Sequence, residues 1–320
     1  MTDQRNASNG EVLATSFWPE SPNAMSLGLM VPIAQRNAFP DTPRFTDLVE
    51  ICQAAKDAGF EIVWFADHFT FFDEERGYRG AWDVFTMMAG VAAVVPDIQI
   101  GVLVACTGYR NPGVIAKITE ALDDISGGRI ILGLGAGWHE PEYVEFGMPF
   151  DYRVSRFEDA IKIIQPLLRT GKANHQGRFY QANDAHNLPK GPREQGAPIL
   201  VGSNSPRMMG LLAQYADAWN TNWQTNAEDT KPLIEDLHAA LRKVGRSPES
   251  VTMTSGASIA VEGYTGNRPN AIHGDPDSHA KAISAFRELG FRHFICGLDP
   301  STPESVAGFS GTIQKIHASE

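Results

Sequence analysis

The strongest constraint on this chain is a rhythm: from Ser26 onward, short apolar runs alternate with amphipathic segments eight times. Residues 26–31 read as a strand, and 45–58 as a helix. In that helix Leu48, Ile51, Cys52 and Ala55 keep the helical period, and Gly59 follows as the stop. The same alternation pairs 62–66 with 82–95, 98–105 with 113–125, and 129–134 with 154–168, the last with Pro166 marking a kink. It continues through 198–201 with 206–215, 218–221 with 228–244, 251–261 with 276–289, and 293–297 with 303–316. Eight β-then-α units over about 300 residues predict an α/β chain closed as a (β/α)₈ TIM barrel. A doubly wound open sheet explains the alternation too, but closure suits eight consecutive units better.

No linker or low-complexity run divides the chain, so residues 26–320 are expected to form one barrel domain. Residues 1–25 are expected to be a flexible N-terminal arm, with Phe17 and Trp18 able to dock on a neighbouring surface. The arm carries Asp3, Arg5, Glu11 and Glu20 and no apolar core segment, so it does not read as a secretory signal. No apolar run approaches the roughly 20 residues that span a bilayer. The formal net charge of -11 argues against a nucleic-acid partner. Cys52, Cys106 and Cys296 are odd in number and widely spaced, which fits a reducing cytoplasm better than disulfides or zinc.

In a barrel, chemistry collects where strands end and βα loops begin. The second strand ends in Asp67-His68-Phe69, the third in Cys106-Thr107-Gly108-Tyr109-Arg110, and the fourth in Gly133-Leu134-Gly135-Ala136-Gly137-Trp138-His139. The fifth ends in Gly202-Ser203-Asn204-Ser205-Pro206. His68 is the candidate catalytic group, because an imidazole near neutrality can take or give a proton. Asp67 is its candidate partner; the alternative is a structural Asp-His pair at a strand end.

Gly133-x-Gly135-x-Gly137 lacks the third glycine of a dinucleotide fingerprint, and the stretch after it, Trp138-His139-Glu140-Pro141, reads as a broad loop. These glycines either let a planar ligand lie against backbone or make a tight barrel bend. Ser205 fits a helix N-cap and Pro206 the first helical position, which makes Gly202, Ser203, Asn204 and Ser205 a candidate phosphate site. Phe69 and Phe72, with Trp138 and His139, are candidates to line a hydrophobic substrate pocket. The nine histidines are scattered and give no metal-ligand spacing. Cys106 reads as a pocket-edge thiol, and no Gly-x-Ser-x-Gly elbow is present.

The run Tyr109-Arg110-Asn111-Pro112, with Leu122-Asp123-Asp124-Ile125-Ser126-Gly127-Gly128-Arg129 and Leu132 to Trp138, resembles the bacterial luciferase-like flavin oxidoreductase family. Trp64-Phe65-Ala66-Asp67-His68-Phe69, Gly177-Arg178-Phe179-Tyr180 and Ala216-Asp217-Ala218-Trp219-Asn220 extend the likeness to nearly everything after Met25. The resemblance implies a barrel that uses FMN with oxygen or the deazaflavin coenzyme F420 for hydride transfer, with a slight lean to F420. It implies a ring held near Leu103, Val104, Cys106, Thr107, Gly135, Gly137 and Trp138, with its phosphate near Gly202, Ser203, Asn204 and Ser205. It further implies a non-proline cis peptide near Leu103-Val104, a small and largely apolar organic substrate, a homodimer, and a flavin reductase partner where FMN is used. Trp138 stands where deazaflavin sugar-phosphate dehydrogenases carry a proton-donating Glu, which argues against that one activity. A flavin-binding barrel without turnover and a metal-dependent hydrolase on the same fold are the competing classes.

Overall fold

The computed structural model describes residues 17–35, 41–74, 77–266, 268 and 270–320. Residues 1–16 of the expected arm lie outside them. Eight parallel strands close into a barrel: β1 (Ser26–Met30), β2 (Ile62–Phe65), β3 (Gln99–Cys106), β4 (Ile130–Gly135), β5 (Ile199–Gly202), β6 (Ala218–Trp223), β7 (Thr252–Ala260) and β8 (His293–Asp299). Each pairs with its neighbours in sequence, and β1 closes on β8 from Ser26↔His293 to Leu29↔Cys296. The helices packed outside are α1 (Phe45–Ala58), α2 (Val84–Val94), α3 (Pro112–Ser126), a short α4 (Glu140–Glu145), α5 (Arg153–Thr170), α6 (Pro206–Tyr215), α7 (Lys231–Lys243), α8 (Pro276–Glu288), α9 (Pro303–Gly308) and α10 (Ser310–Ala318).

Local chemistry explains most helix ends. Asp83 accepts the Thr86 amide at the start of α2, and Asn111 accepts the Gly113 amide ahead of Pro112 in α3. Gly59 and Gly127 end α1 and α3 in the left-handed conformation, with φ of 101° and 69°. Two expected helices are divided. The segment predicted at 228–244 begins as a 3₁₀ turn, Ala227–Thr230, and becomes α-helical at Lys231, because Pro232 is tolerated only in a first turn. The segment predicted at 303–316 breaks after Gly308, the weakest helix former in it apart from Pro303 and Gly311. Among the described residues, the elements not anticipated include α4 and the two antiparallel hairpins Thr70–Asp73 with Gly77–Gly80 and Lys172–Gln176 with Gln181–His186.

A large apolar cluster fills the space between barrel and helices, and a second, inside the barrel, holds Trp18, Ile62, Trp64, Ile131, Leu200, Ala218 and Ile295. Trp64 is fully buried there and lies over Gly28 and Gly101, where any Cβ would collide with the indole. Trp64 Nε1 donates to His293 Nε2 at 2.9 Å. Since an indole nitrogen only donates, His293 carries its hydrogen on Nδ1 and gives it to Ser26 Oγ, 2.7 Å away. Ser26 Oγ donates in turn to the Arg292 carbonyl. Burial pushes the His293 imidazole down to about 3, so it stays neutral. Trp18 stacks on Trp64 with centroids 6.3 Å apart and covers this N-terminal end, while the Arg169 guanidinium sits 4.7 Å over the Phe17 ring. Both aromatic residues of the expected arm therefore dock, and they dock on the barrel itself.

Candidate active site

At the opposite end, the strand C-termini surround a cavity of about 880 Å³. Its wall includes Asp67, His68, Leu103, Val104, Cys106, Gly135, Gly137, Trp138, Gly202 and Ser203, all singled out in the sequence. The Leu103–Val104 peptide is cis, and both side chains pack against the interior cluster. A Cβ on Gly135 would collide with Val104 and one on Gly133 with the Val102 carbonyl, while one on Gly202 would press on Val104. A Cβ on Gly137, whose φ is 81°, would strike the Tyr143 hydroxyl and Cys106 Sγ. The glycine spacing thus answers first to the protein's own close packing, even though Gly135 and Gly137 also face the cavity.

His68 lines the cavity with its Nδ1 turned away, 2.8 Å from Glu142 Oε2. Phe71 and Trp138 flank the imidazole at 4.6 and 5.6 Å between ring centroids. Glu142 is fully buried. It also accepts the Tyr109 hydroxyl at 2.7 Å, the Thr70 amide at 3.0 Å and the Phe69 amide. Burial pushes the Glu142 carboxyl up, but the His68 and Tyr109 hydrogen bonds, the His68 charge and the Phe69 amide outweigh it and hold the group below the ordinary glutamate range.

Asp67 is occupied elsewhere. Its Oδ2 accepts Arg110 Nη1 at 2.7 Å and the Cys106 amide at 3.0 Å. Burial pushes its carboxyl above the usual range against the opposing pull of Arg110. Asp67 Oδ1 is buried without a hydrogen-bond partner. Arg110 reaches on to Asp83 at 2.6 Å and lies 4.8 Å over the Phe85 ring, so it is fixed on both faces. The Tyr143 hydroxyl donates to the Ala136 carbonyl, which leaves the Cys106 thiol, 2.8 Å from Tyr143 Oη, as the donor between those two groups. Burial pushes this thiol up to about 11, so it remains protonated and is a poor nucleophile.

Six expected residues do not form the cavity wall. Phe72 pairs with Tyr78, ring to ring at 5.1 Å, on the far face of its hairpin, and Phe71 lines the cavity instead. Alternation along a strand sends successive side chains to opposite faces, so Phe71 and its cross-strand partner Arg79 share the inner one. Phe69 packs against Tyr109 and Phe146. Thr107 is buried, with Oγ1 bonded to the Gly135 carbonyl. Asn204 donates to the Thr221 carbonyl, and Ser205 stands at the start of α6 without making a side-chain cap. His139 lies behind Trp138, in ring contact with Phe71 and His68, and N-caps α4 by position. The stretch expected to be a broad loop is therefore a helix start, and Pro141, in its first turn, was the available signal. That helix delivers Glu142, which was not foreseen; nor was Asp299, a carboxylate of the cavity wall.

Among the described residues, no group of three or more His, Cys, Asp or Glu side chains gathers as a metal site requires. Among them, too, no helix is long and apolar enough to cross a membrane.

A closed parallel barrel with its polar cavity at the strand C-termini is the architecture of TIM-barrel enzymes. The model of the luciferase-like monooxygenase family matches residues 25–263, and the chain belongs to that family. It is 31% identical over 250 residues to pyrimidine monooxygenase RutA of Rhizobium rhizogenes, covering 72% of this chain and 66% of that protein. It is 25% identical over 224 residues to 5,10-methylenetetrahydromethanopterin reductase of Archaeoglobus fulgidus, covering 70% and 63%. The matches thus span slightly less than two thirds of these relatives' own length. The structure of an F420-dependent secondary alcohol dehydrogenase with an F420-acetone adduct shares the fold, with a TM-score of 0.76 at 18% identity over 91% of this chain and 99% of that one.

Proposed function

We propose that the cavity seats the ring of a flavin or deazaflavin and that the protein is an oxidoreductase acting on a small organic substrate. The observation that carries this reading is the pair of polar groups left open at the mouth. Asp67 Oδ1 is buried without a partner, and His68 turns only Nδ1 to the protein. A buried acceptor left unmade costs about 1–3 kcal/mol, which a ring N–H or ribityl hydroxyl would recover. The remaining residues also fit such a group. Leu103 and Val104 form an apolar floor, and α6 begins with Pro206 and no side-chain cap from Ser205, leaving first-turn amides for a phosphate. Arg207 is not part of that anion site, since it pairs with Glu158 and Ser155 on α5.

Once bound, the ring supplies two-electron redox chemistry. His68 would hold or give a proton beside it through Nε2. Phe71 and Trp138 would shield the reacting groups from water. Arg110 holds Asp67 in place at the cavity wall, its charge opposing the burial that pushes the carboxyl up. The substrate would place an apolar body against Phe71, Trp138 and Ile33, near the charged groups of Arg79 and Arg268.

F420 is the form to test first, on the strength of the central run's resemblance. FMN with a separate flavin reductase is the second reading, supported by the likeness to a pyrimidine monooxygenase. A homodimer and a cytoplasmic location belong to the same proposal, and light scattering of the purified protein tests the dimer. A barrel that binds without turnover is disfavoured by the imidazole at the cavity wall. The deciding experiment is titration with FMN and with F420, followed by absorbance and fluorescence. Saturable binding of one assigns the cofactor, and binding of neither overturns the reading.

A further inference from the structure

Glu142 does not line the cavity and reaches it only through His68. Its four partners are the His68 ring, the Tyr109 hydroxyl and the Phe69 and Thr70 amides. The two backbone amides donate to Oε1 and the Tyr109 hydroxyl donates to Oε2, so the carboxyl is held as an acceptor on both oxygens. An ionised carboxylate has no hydrogen to give, so the one between Glu142 Oε2 and His68 Nδ1 must sit on Nδ1. The other ring nitrogen, Nε2, makes no hydrogen bond among the described residues. Phe71 and Trp138 hold the ring from its sides.

We propose that Glu142 is the positioning residue of this site: it fixes His68 with its hydrogen on Nδ1 and leaves Nε2, on the cavity side, as the atom that exchanges a proton. The proposal rests on the reading of His68 as the proton-handling group. The hydrogen bond made by one imidazole nitrogen decides what the other can do. With Nδ1–H anchored, a neutral His68 offers a lone pair to the cavity, and a protonated one offers an N–H while Glu142 compensates its charge. The same carboxylate ties this ring to the cavity wall. Glu142 holds the Phe69 and Thr70 amides, and Glu145 accepts Thr70 Oγ1 at 2.6 Å. Together they anchor the start of the hairpin that brings Phe71 and Arg79 inward. His139, 6.1 Å away between ring centroids, has no such anchor: its Nε2 is buried without a partner.

The test uses the full chain with ¹⁵N-labelled histidine, and long-range ¹H–¹⁵N spectra that separate pyrrole-type from pyridine-type ring nitrogens. His68→Ala identifies the His68 signals by their loss. In the wild type, Nδ1 is expected to be pyrrole-type. Glu142→Gln can donate an amide N–H to the ring, so Nδ1 is expected to shift to pyridine-type with the melting curve still cooperative; a folded variant whose Nδ1 stays pyrrole-type overturns the proposal. Should that variant fail to fold, the wild-type spectrum decides, because a pyridine-type Nδ1 there overturns the proposal alone. Titrating the same wild-type sample with FMN and F420 keeps the two readings apart. Binding of neither cofactor removes the proposed function and leaves the nitrogen assignment standing.

Discussion

Two histidines occupy opposite ends of one barrel, and they are built for opposite purposes. At the N-terminal end, His293 is fully buried, receives the Trp64 N–H on one nitrogen and gives the hydrogen of the other to Ser26. Every polar atom of that chain is paired, and no route to a ligand remains. At the C-terminal end, His68 has one nitrogen tied to Glu142 and the other unpaired beside a large cavity. The same side chain is a structural bridge where both nitrogens are satisfied and, under the function proposed for His68, a proton-handling group where one is left open. Nearby Asp67 repeats the pattern, with one oxygen saturated and the other without a partner. At the cavity wall, these open atoms are where a ligand would supply the missing partner.

The contrast can be broken most sharply at His68. His68→Ala should retain cofactor binding and lose turnover by about 10²–10⁴-fold, the usual contribution of a positioned proton donor. Steady-state rates beside a cofactor titration measure both, and unchanged turnover would return His68 to a structural role. At the other end, Trp64→Ala should destabilise the barrel by about 3–5 kcal/mol, because it empties the space that Gly28 and Gly101 leave for the indole. Urea unfolding reads this directly.

A pH series sharpens the comparison further. The folded His293 value, about 3, lies below the free imidazole's value of ~6.5. The unfolded chain therefore binds a proton that the native state refuses, so stability is flat above about pH 6.5 and falls as pH drops from there toward about 3. The expected slope is about 1.4 kcal/mol per pH unit. Between roughly pH 6.5 and 5, His293→Gln should remove its own share of the slope and leave those of His279, which burial also pushes down, and of Asp67 and Asp217, which burial pushes up; an unchanged slope would show that His293 contributes none. The smallest effects separate neighbours on one strand. Phe72→Ala should change stability by no more than about 0.5 kcal/mol and leave cofactor titration alone, since its side chain packs at the surface. Phe71→Ala should weaken ligand binding at the cavity; if the two variants behave alike, the hairpin's inner face has been misassigned.

Much of the barrel was legible because its signals are local. Leu48, Ile51, Cys52 and Ala55 repeat at the helical period, and Gly59 and Gly127 stop helices where left-handed backbone is needed. The mouth was legible in outline, because a barrel puts its strand ends together and those ends carry Asp67, His68, Gly135 and Gly202. Phe71 and Phe72 were not separable without the hairpin, since alternation assigns faces only after a strand is known. Glu142 was hidden for a different reason. Its contact with His68 joins residues 74 positions apart, and no local pattern encodes that distance.

The amino-acid sequence by itself determined the number and order of the barrel units, most of their limits, and the end of the barrel at which chemistry would collect. Periodicity, capping and turn residues act within a few positions of chain, and the closure of eight such units follows from packing apolar strands beneath apolar helix faces. Only the tertiary structure decided which side chains are complete and which are left open. Whether Asp67 has a spare oxygen, whether His68 turns Nδ1 or Nε2 to the cavity, and which carboxylate stands behind it depend on partners drawn from distant loops. Those partners meet only when the barrel closes, because a buried hydrogen bond is set by distance in space and not by separation along the chain.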